Sequence, residues 1–128
     1  MRSLLFGSPI LRDVLRDVPA AVSYLRANRE SGLIAATSRA EVLVGLSTDD
    51  AERRARALLD HLPCLPITQA VADRAVRLCR THGWSLPQAL PAAVALENSL
   101  TLATRARGDL DPSAHGFITV PYTLASDP

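Results

Sequence analysis

Short apolar runs alternate with helical patterns along the whole of this chain. The apolar runs lie at residues 3–6, 33–36, 63–66, 101–104 and 117–120. Between them apolar residues recur every three or four positions, as Ile10, Leu11 and Val14 do, which is typical of helices with one buried face. Strands that alternate with helices favour a parallel sheet covered by helices on both sides. The sequence therefore predicts an α/β fold, a three-layer α/β/α sandwich with a central, mostly parallel sheet.

The length of the chain sets the number of domains. With 128 residues, 48% of them hydrophobic, the chain can fill one core. We expect residues 1–123 to form a single domain and residues 124–128 to be a frayed tail. No apolar run reaches about 18 residues, so we expect no membrane-spanning helix, and no signal peptide is recognisable. Cys64 and Cys79 have no metal-ligand spacing, which predicts reduced thiols in a cytoplasmic protein.

The charge of the chain gives little information about its partners. The formal net charge is +1, which is too small to attract nucleic acid through a global field. All fourteen basic residues are arginine. This bias extends over every surface helix, so it does not by itself indicate one phosphate-binding site, although arginine is the residue best suited to such a site.

Three segments carry a resemblance to a known family. They are residues 4–16 (LLFGSPILRDVLR), 38–45 (SRAEVLVG) and 86–105 (LPQALPAAVALENSLTLATR). In this order and spacing they resemble the PIN-domain ribonucleases, and specifically the VapC toxins of toxin–antitoxin pairs. Residues 65–78 and 116–122 resemble the third strand of the family, with its following helix, and the last strand. The resemblance thus covers nearly the whole chain and implies a PIN-like fold.

The same resemblance identifies where a metal site would be. The matching pocket positions are Phe6, Ser8, Glu41, Gln88, Thr104, Arg105 and Ala106. Typical members carry acidic residues at the positions of Phe6, Gln88 and Ala106, and only Glu41 remains acidic here. Hydrolysis by two metal ions needs several carboxylates, since Mg²⁺ prefers oxygen ligands. We therefore expect no bound metal, and we expect Phe6 to fill much of the metal space and to shield Glu41.

Other acidic residues could compensate for this loss. Asp109 and Asp111 follow the fourth predicted strand, and Asp13 follows the first. Each is a candidate for turning towards Glu41, although a solvated surface position is the more common place for such an acid. Glu41 itself has two interpretations that can both hold, as a remnant metal ligand or as part of a capping box with Ser38.

Two prolines make the segment before the fourth strand unusual. Pro91 follows Pro87 by four residues and cannot donate the helical hydrogen bond to its carbonyl group. We therefore expect the helix to start near Leu90, with Pro91 in its first turn and Gln88 in the entry loop.

Three functions remain open at this point. The first is a non-catalytic binding protein that forms a homodimer and binds an antitoxin-like peptide or RNA. The second is a Mg²⁺- or Mn²⁺-dependent endoribonuclease that combines Glu41 with Asp109, Asp111 or Asp13. The third is a metal-independent enzyme in which Glu41, its pKa raised by apolar surroundings, acts as general acid or base.

Overall fold

The central sheet has five parallel strands. A computed structural model describes residues 2–105 and 110–124. The strands are β1 (Leu4–Phe6), β2 (Gly32–Ala35), β3 (Cys64–Leu65), β4 (Thr101–Ala103) and β5 (Ile118–Thr119). Their order in the sheet is β3-β2-β1-β4-β5, and all four pairings are parallel. The predicted α/β fold is confirmed. Of the predicted tail, residues 125–128 lie outside the described part of the chain.

Helices cover both faces of this sheet. They are α1 (Ser8–Leu15), α2 (Pro19–Asn28), α3 (Ala36–Val44), α4 (Asp49–Leu59), α5 (Gln69–His82) and α6 (Leu86–Glu97). Successive residues of a strand point to opposite faces. Leu5 therefore packs with α5 and α6 in one core cluster, whereas Phe6 packs with α1 to α4 in the other. The three-layer α/β/α arrangement follows from this alternation.

The strand order determines where a site can form. The chain adds β2 and β3 on one side of β1 and then crosses over to add β4 and β5 on the other side, so the direction of winding reverses at β1. In open parallel sheets the crevice at such a point, beyond the carboxyl ends of the strands, is the usual place for ligands. Here that edge carries the segments that follow β1, β2 and β4. Within residues 2–105 and 110–124, no helix has the length and apolar character needed to cross a membrane.

The start of α3 differs from the prediction. β2 runs directly into the helix, with Ala35 as the N-cap residue, so Ser38 lies inside the first turn. The Ser38 side chain is fully buried, and its hydroxyl has no hydrogen-bond partner within the described residues. The predicted capping box of Ser38 and Glu41 is therefore wrong, and helix capping does not explain the presence of Glu41.

The start of α6 also differs. The helix begins at Leu86, after the N-cap residue Ser85, whose backbone N–H donates to Oε1 of Gln88 at 3.3 Å. Gln88 thus belongs to the first helical turn, and Pro91 lies inside the helix, where it is buried. The prediction of a later start was wrong because the cap at Ser85 and the buried alanines of α6 outweigh the one hydrogen bond that Pro91 cannot donate.

Candidate functional site

A small cavity lies at the carboxyl ends of β1 and β4, and we call it the strand-end cavity. Its volume is about 140 Å³. Polar groups reach it from α1, α3, α6 and the segment after β4: Ser8, Glu41, Gln88, Thr104 and Arg105. Pro87 and Pro91 of α6 and Leu102 of β4 contribute apolar surface. The structure thus brings together five of the seven pocket positions identified by resemblance.

Phe6 is not among the residues that line this cavity. Its side chain is fully buried on the opposite face of the sheet, where its ring meets that of Tyr24 edge to face with centroids 6.0 Å apart. Gly32 of the neighbouring strand makes room for it, since a Cβ atom there would overlap the Phe6 ring. The expectation that Phe6 fills the metal space and shields Glu41 is therefore wrong.

Glu41 is the only carboxylate on the strand-end cavity among the described residues. It projects from the middle of α3 and is half-buried. Burial raises the pKa of Glu41, and the positive charge of Arg12 offsets part of this increase. The Arg12 guanidinium also donates to the backbone carbonyl of Glu41, at 3.4 Å. The guanidinium of Arg12 is thus a cation close to this glutamate.

Asp13 lies in an adjoining cavity of about 460 Å³, which we call the arginine cavity. Its lining residues are Pro9, Arg12, Asp13, Arg16, Gln88 and Arg105. Asp13 is 2% exposed. Its Oδ2 accepts a hydrogen bond from the Tyr122 hydroxyl at 2.7 Å and lies 3.3 Å from Nε of Arg105. Asp13 does not line the strand-end cavity and is paired with a cation of its own.

Asp111 is exposed and lines neither of these cavities. Its carboxylate accepts from the backbone N–H of Ser113 at 2.9 Å and from the Ser113 hydroxyl at 2.8 Å. These two hydrogen bonds, the backbone one first, hold the pKa of Asp111 below its usual value. The residue stabilises a local turn, and the structure does not place it beside Glu41. The other candidates of this loop, Asp109 and Ala106, lie outside the described residues.

Comparisons with known proteins identify the family. The family model of the PIN domain matches residues 8–108. The chain is a member of the PIN domain family. It is similar to a toxin–antitoxin complex from Klebsiella pneumoniae, with 30% identity and a TM-score of 0.86 over 95% of this chain and 100% of that one.

More distant structures share the fold. FitAcB from Neisseria gonorrhoeae is 23% identical, with a TM-score of 0.73 over 94% of this chain and 99% of that one. VapBC-5 from Mycobacterium tuberculosis, a member of the VapBC family of toxin–antitoxin systems, is 16% identical, with a TM-score of 0.58 over 93% and 97%. None of the curated proteins matches the chain significantly.

The described residues of this PIN domain do not fit a catalytic metal site. Within residues 2–105 and 110–124, no group of three or more His, Cys, Asp or Glu side chains converges. The strand-end cavity offers one half-buried carboxylate and the amide of Gln88, whose oxygen already accepts from Ser85. Mg²⁺ is held by carboxylates and gives up its waters reluctantly. Within residues 2–105 and 110–124, the strand-end cavity thus has one carboxylate, with Arg12 beside it.

The cluster of Asp13, Arg105 and Tyr122 was missed by sequence reasoning. The sequence indicated Asp13 as a candidate metal ligand and gave Tyr122 no role. The two lie 109 positions apart, so no local spacing connects them. Arg105 was the signal that could have indicated this cluster. A cation that follows a buried strand needs a nearby anion, and the sequence therefore implies a carboxylate partner for it.

Proposed function

We propose that this PIN-domain protein has lost metal-dependent ribonuclease activity and acts by binding other molecules. One observation carries this proposal: Glu41 is the only carboxylate on the strand-end cavity within the described residues, and its neighbours include Arg12 and Arg105. Two-metal cleavage of RNA depends on carboxylates that hold the ions against the scissile phosphate. Arginines at that place favour an anion instead of a cation.

An antitoxin-like protein is the partner that we propose. The 30% identity to a chain of the Klebsiella toxin–antitoxin complex supports it. A groove of about 400 Å³ between α1, α2 and α4 offers a binding surface. Apolar side chains such as Leu25 and Leu62 line it together with Arg26 and Arg29, and with Arg54, which is paired with Asp17. An amphipathic peptide with acidic residues would complement both its apolar and its basic parts.

A homodimer is the proposed assembly, in the cytoplasm. Apolar side chains are exposed next to each other on α3 and α6. Val44 is 84% exposed and Leu86 is 51% exposed. Ala40, Leu86, Pro87 and Leu90 line a shallow apolar depression beside Glu41, and Ala40 and Val44 lie on the same face of α3. We call these five residues the α3–α6 surface. A second copy of the chain, related by a two-fold axis, is the simplest partner for it.

A ribonuclease assay tests the loss of activity. Purified protein is incubated with tRNA and with a mixed RNA oligonucleotide, in Mg²⁺ and in Mn²⁺, and the products are separated by length. We expect no cleavage above background. Glu41→Gln and the matched control Glu52→Gln, an exposed glutamate of α4, should behave like the unchanged protein. Asp109→Asn is included because Asp109 lies outside the described residues. Cleavage that disappears in Glu41→Gln or Asp109→Asn but persists in Glu52→Gln would establish an active nuclease.

A metal-independent enzyme is the second candidate function, and the raised pKa of Glu41 favours it. A carboxyl group that stays protonated at higher pH can act as a general acid. Apolar lining from Pro91 and Leu102 supports such a role. An activity that persists in EDTA and disappears in Glu41→Gln would favour this candidate, provided that its pH profile follows the titration of one carboxyl group.

A further inference from the structure

We propose that the arginine cavity is a metal-independent binding site for the phosphate group of a small phosphomonoester. This inference deepens the proposed function and rests on it in one respect, that no metal ion occupies the neighbouring strand-end cavity.

The arginine cavity has an excess of positive charge. Arg12, Arg16 and Arg105 line it, against the single carboxylate of Asp13, which leaves a formal excess of two positive charges. Gln88 adds a neutral amide. Because the whole chain carries a net charge of only +1, this local excess is not a reflection of an overall basic protein. Such a concentration of guanidinium groups in one concave site favours an anion.

Two of the three arginines are held in place by the protein. Arg105 is 7% exposed, and its Nε lies 3.3 Å from Asp13, which also accepts from Tyr122. Arg12 is half-buried and donates to the Glu41 carbonyl at 3.4 Å. An arginine that is already oriented loses less side-chain entropy when it binds a ligand. These contacts therefore prepare the cavity for an anion in the free protein.

Arg16, the C-cap residue of α1, completes the site. It lies four residues after Arg12, so both side chains are on the same helical face. Unlike Arg12 and Arg105, it is exposed. Three guanidinium groups around one space suit a phosphate group, which presents several terminal oxygens, better than a carboxylate, which one arginine can satisfy in a bidentate pair.

The position of the strand-end cavity indicates what the phosphate is attached to. The two cavities share Pro9, Gln88 and Arg105, so they adjoin. A molecule with its phosphate in the arginine cavity would place its next polar groups near Glu41, Ser8 and Thr104, which can bind hydroxyl or amino groups. A nucleoside monophosphate or a sugar phosphate has this arrangement of one anionic group and neighbouring hydroxyls.

Calorimetric titration of the full chain in EDTA, at low salt, tests the proposal. The probes are inorganic phosphate, adenosine 5′-monophosphate, adenosine, acetate and an RNA oligonucleotide without terminal phosphates. We expect saturable binding of phosphate, tighter binding of the monophosphate, and much weaker binding of acetate and adenosine. Arg16→Gln and Arg12→Gln should each raise the Kd for phosphate roughly tenfold, the effect of losing one charge-assisted hydrogen bond. Arg16→Lys should restore only part of the affinity, because lysine keeps the charge without the planar fork.

The matched control is Arg77→Gln, an exposed arginine of α5 that lines neither the arginine cavity nor the strand-end cavity. It should bind phosphate like the unchanged protein. Thermal unfolding checks that each variant is folded. If Arg12→Gln does not fold, the phosphate affinity of Arg16→Gln alone decides the test. The proposal is overturned if phosphate does not bind, if Arg77→Gln weakens binding as much as Arg16→Gln, if acetate binds equally well, if only the RNA binds, or if binding requires Mg²⁺. RNA cleavage in the separate nuclease assay would contradict the proposed loss of activity without changing the result in EDTA.

Discussion

The hydroxyl group of Tyr122 donates a hydrogen bond of 2.7 Å to Asp13, a residue that lies 109 positions earlier in the chain. This contact connects the segment after β5 to α1. Tyr122 also packs against the core cluster on that face of the sheet. Arg105 approaches the same carboxylate oxygen from the end of β4. One buried carboxylate thus connects three distant parts of the chain.

Tyr122→Phe should destabilise the protein, because it removes a donor from a buried carboxylate. We expect the free energy of unfolding to fall by about 1–3 kcal/mol, the usual effect of losing a hydrogen bond to a charged group. Urea unfolding of the variant measures this change. Tyr24→Phe is the control, since the Tyr24 hydroxyl makes no hydrogen bond within the described residues. Equal losses in the two variants would mean that the contact with Asp13 contributes nothing specific.

Glu41→Gln should stabilise the protein in a pH-dependent way. Burial raises the pKa of Glu41 in the folded chain above its ordinary value of 4.5. The stability associated with its protonated form is fully present below that value and is lost as the pH rises through the folded-state pKa. The glutamine variant should therefore gain stability over the unchanged protein at neutral pH and show no gain below about pH 4.5. Unfolding by urea across this pH range measures the difference, and an equal gain at every pH would contradict the prediction.

Mn²⁺ should bind the unchanged protein weakly or not at all, and Gln88→Glu should improve its binding. Glutamate at this position keeps the oxygen that accepts from Ser85 and adds a second carboxylate to the strand-end cavity. Carboxylates are the ligands that such ions prefer. Titration followed by calorimetry or by Mn²⁺ paramagnetic relaxation measures the affinity. Gln69→Glu, an exposed position at the start of α5, is the control. Micromolar binding by the unchanged protein would refute the absence of a metal site.

Phe6→Asp should unfold the protein instead of creating a metal ligand. The Phe6 side chain is fully buried in the core cluster opposite α5 and α6, away from the strand-end cavity. Losing a buried phenylalanine alone costs about 3–5 kcal/mol, and an unpaired carboxylate in its place adds a further penalty. Circular dichroism and thermal unfolding at neutral pH measure the outcome. A folded variant that binds Mn²⁺ would show that position 6 can still reach the metal space.

Leu86→Arg should convert the proposed homodimer into a monomer. The side chain is 51% exposed on the α3–α6 surface, so the change places a charge in the interface without disturbing the core. Light scattering should give twice the chain mass of 13.7 kDa for the unchanged protein and the single mass for the variant. Ala20→Arg on the exposed side of α2 is the control and should remain dimeric. A single mass for the unchanged protein at micromolar concentration would refute the dimer.

The sequence predicted the layers of this fold better than it predicted the local geometry of the site. Periodicity located the strands and helices because the core faces require it, as the alternation of Leu5 and Phe6 illustrates. Applied to position 6, the same alternation would have predicted that the Phe6 ring points away from the strand-end cavity. Resemblance aligned the position but gave no information about the direction of the new side chain.

Helix ends and long-range pairs were the other sources of error. The Ser38–Glu41 spacing matched a capping box, yet β2 passes into α3 with the buried residue Ala35 as the N-cap and Ser38 inside the first turn. Pro91 was expected in a first turn, but packing of α6 against α5 keeps it in the helix. The contact between Asp13 and Tyr122 depends on tertiary structure alone. Such features are determined by burial and chain path, which local patterns do not contain.

Gly32 and Phe6 have a consequence for how such a chain could change over generations. A Cβ atom at position 32 would overlap the phenylalanine ring, so Phe6 requires glycine at position 32. A smaller residue at position 6 alone would leave a void beside the glycine, and a side chain at position 32 alone would clash with the ring. Each single change at this pair is therefore costly, whereas a paired exchange, smaller at position 6 and larger at position 32, avoids both penalties.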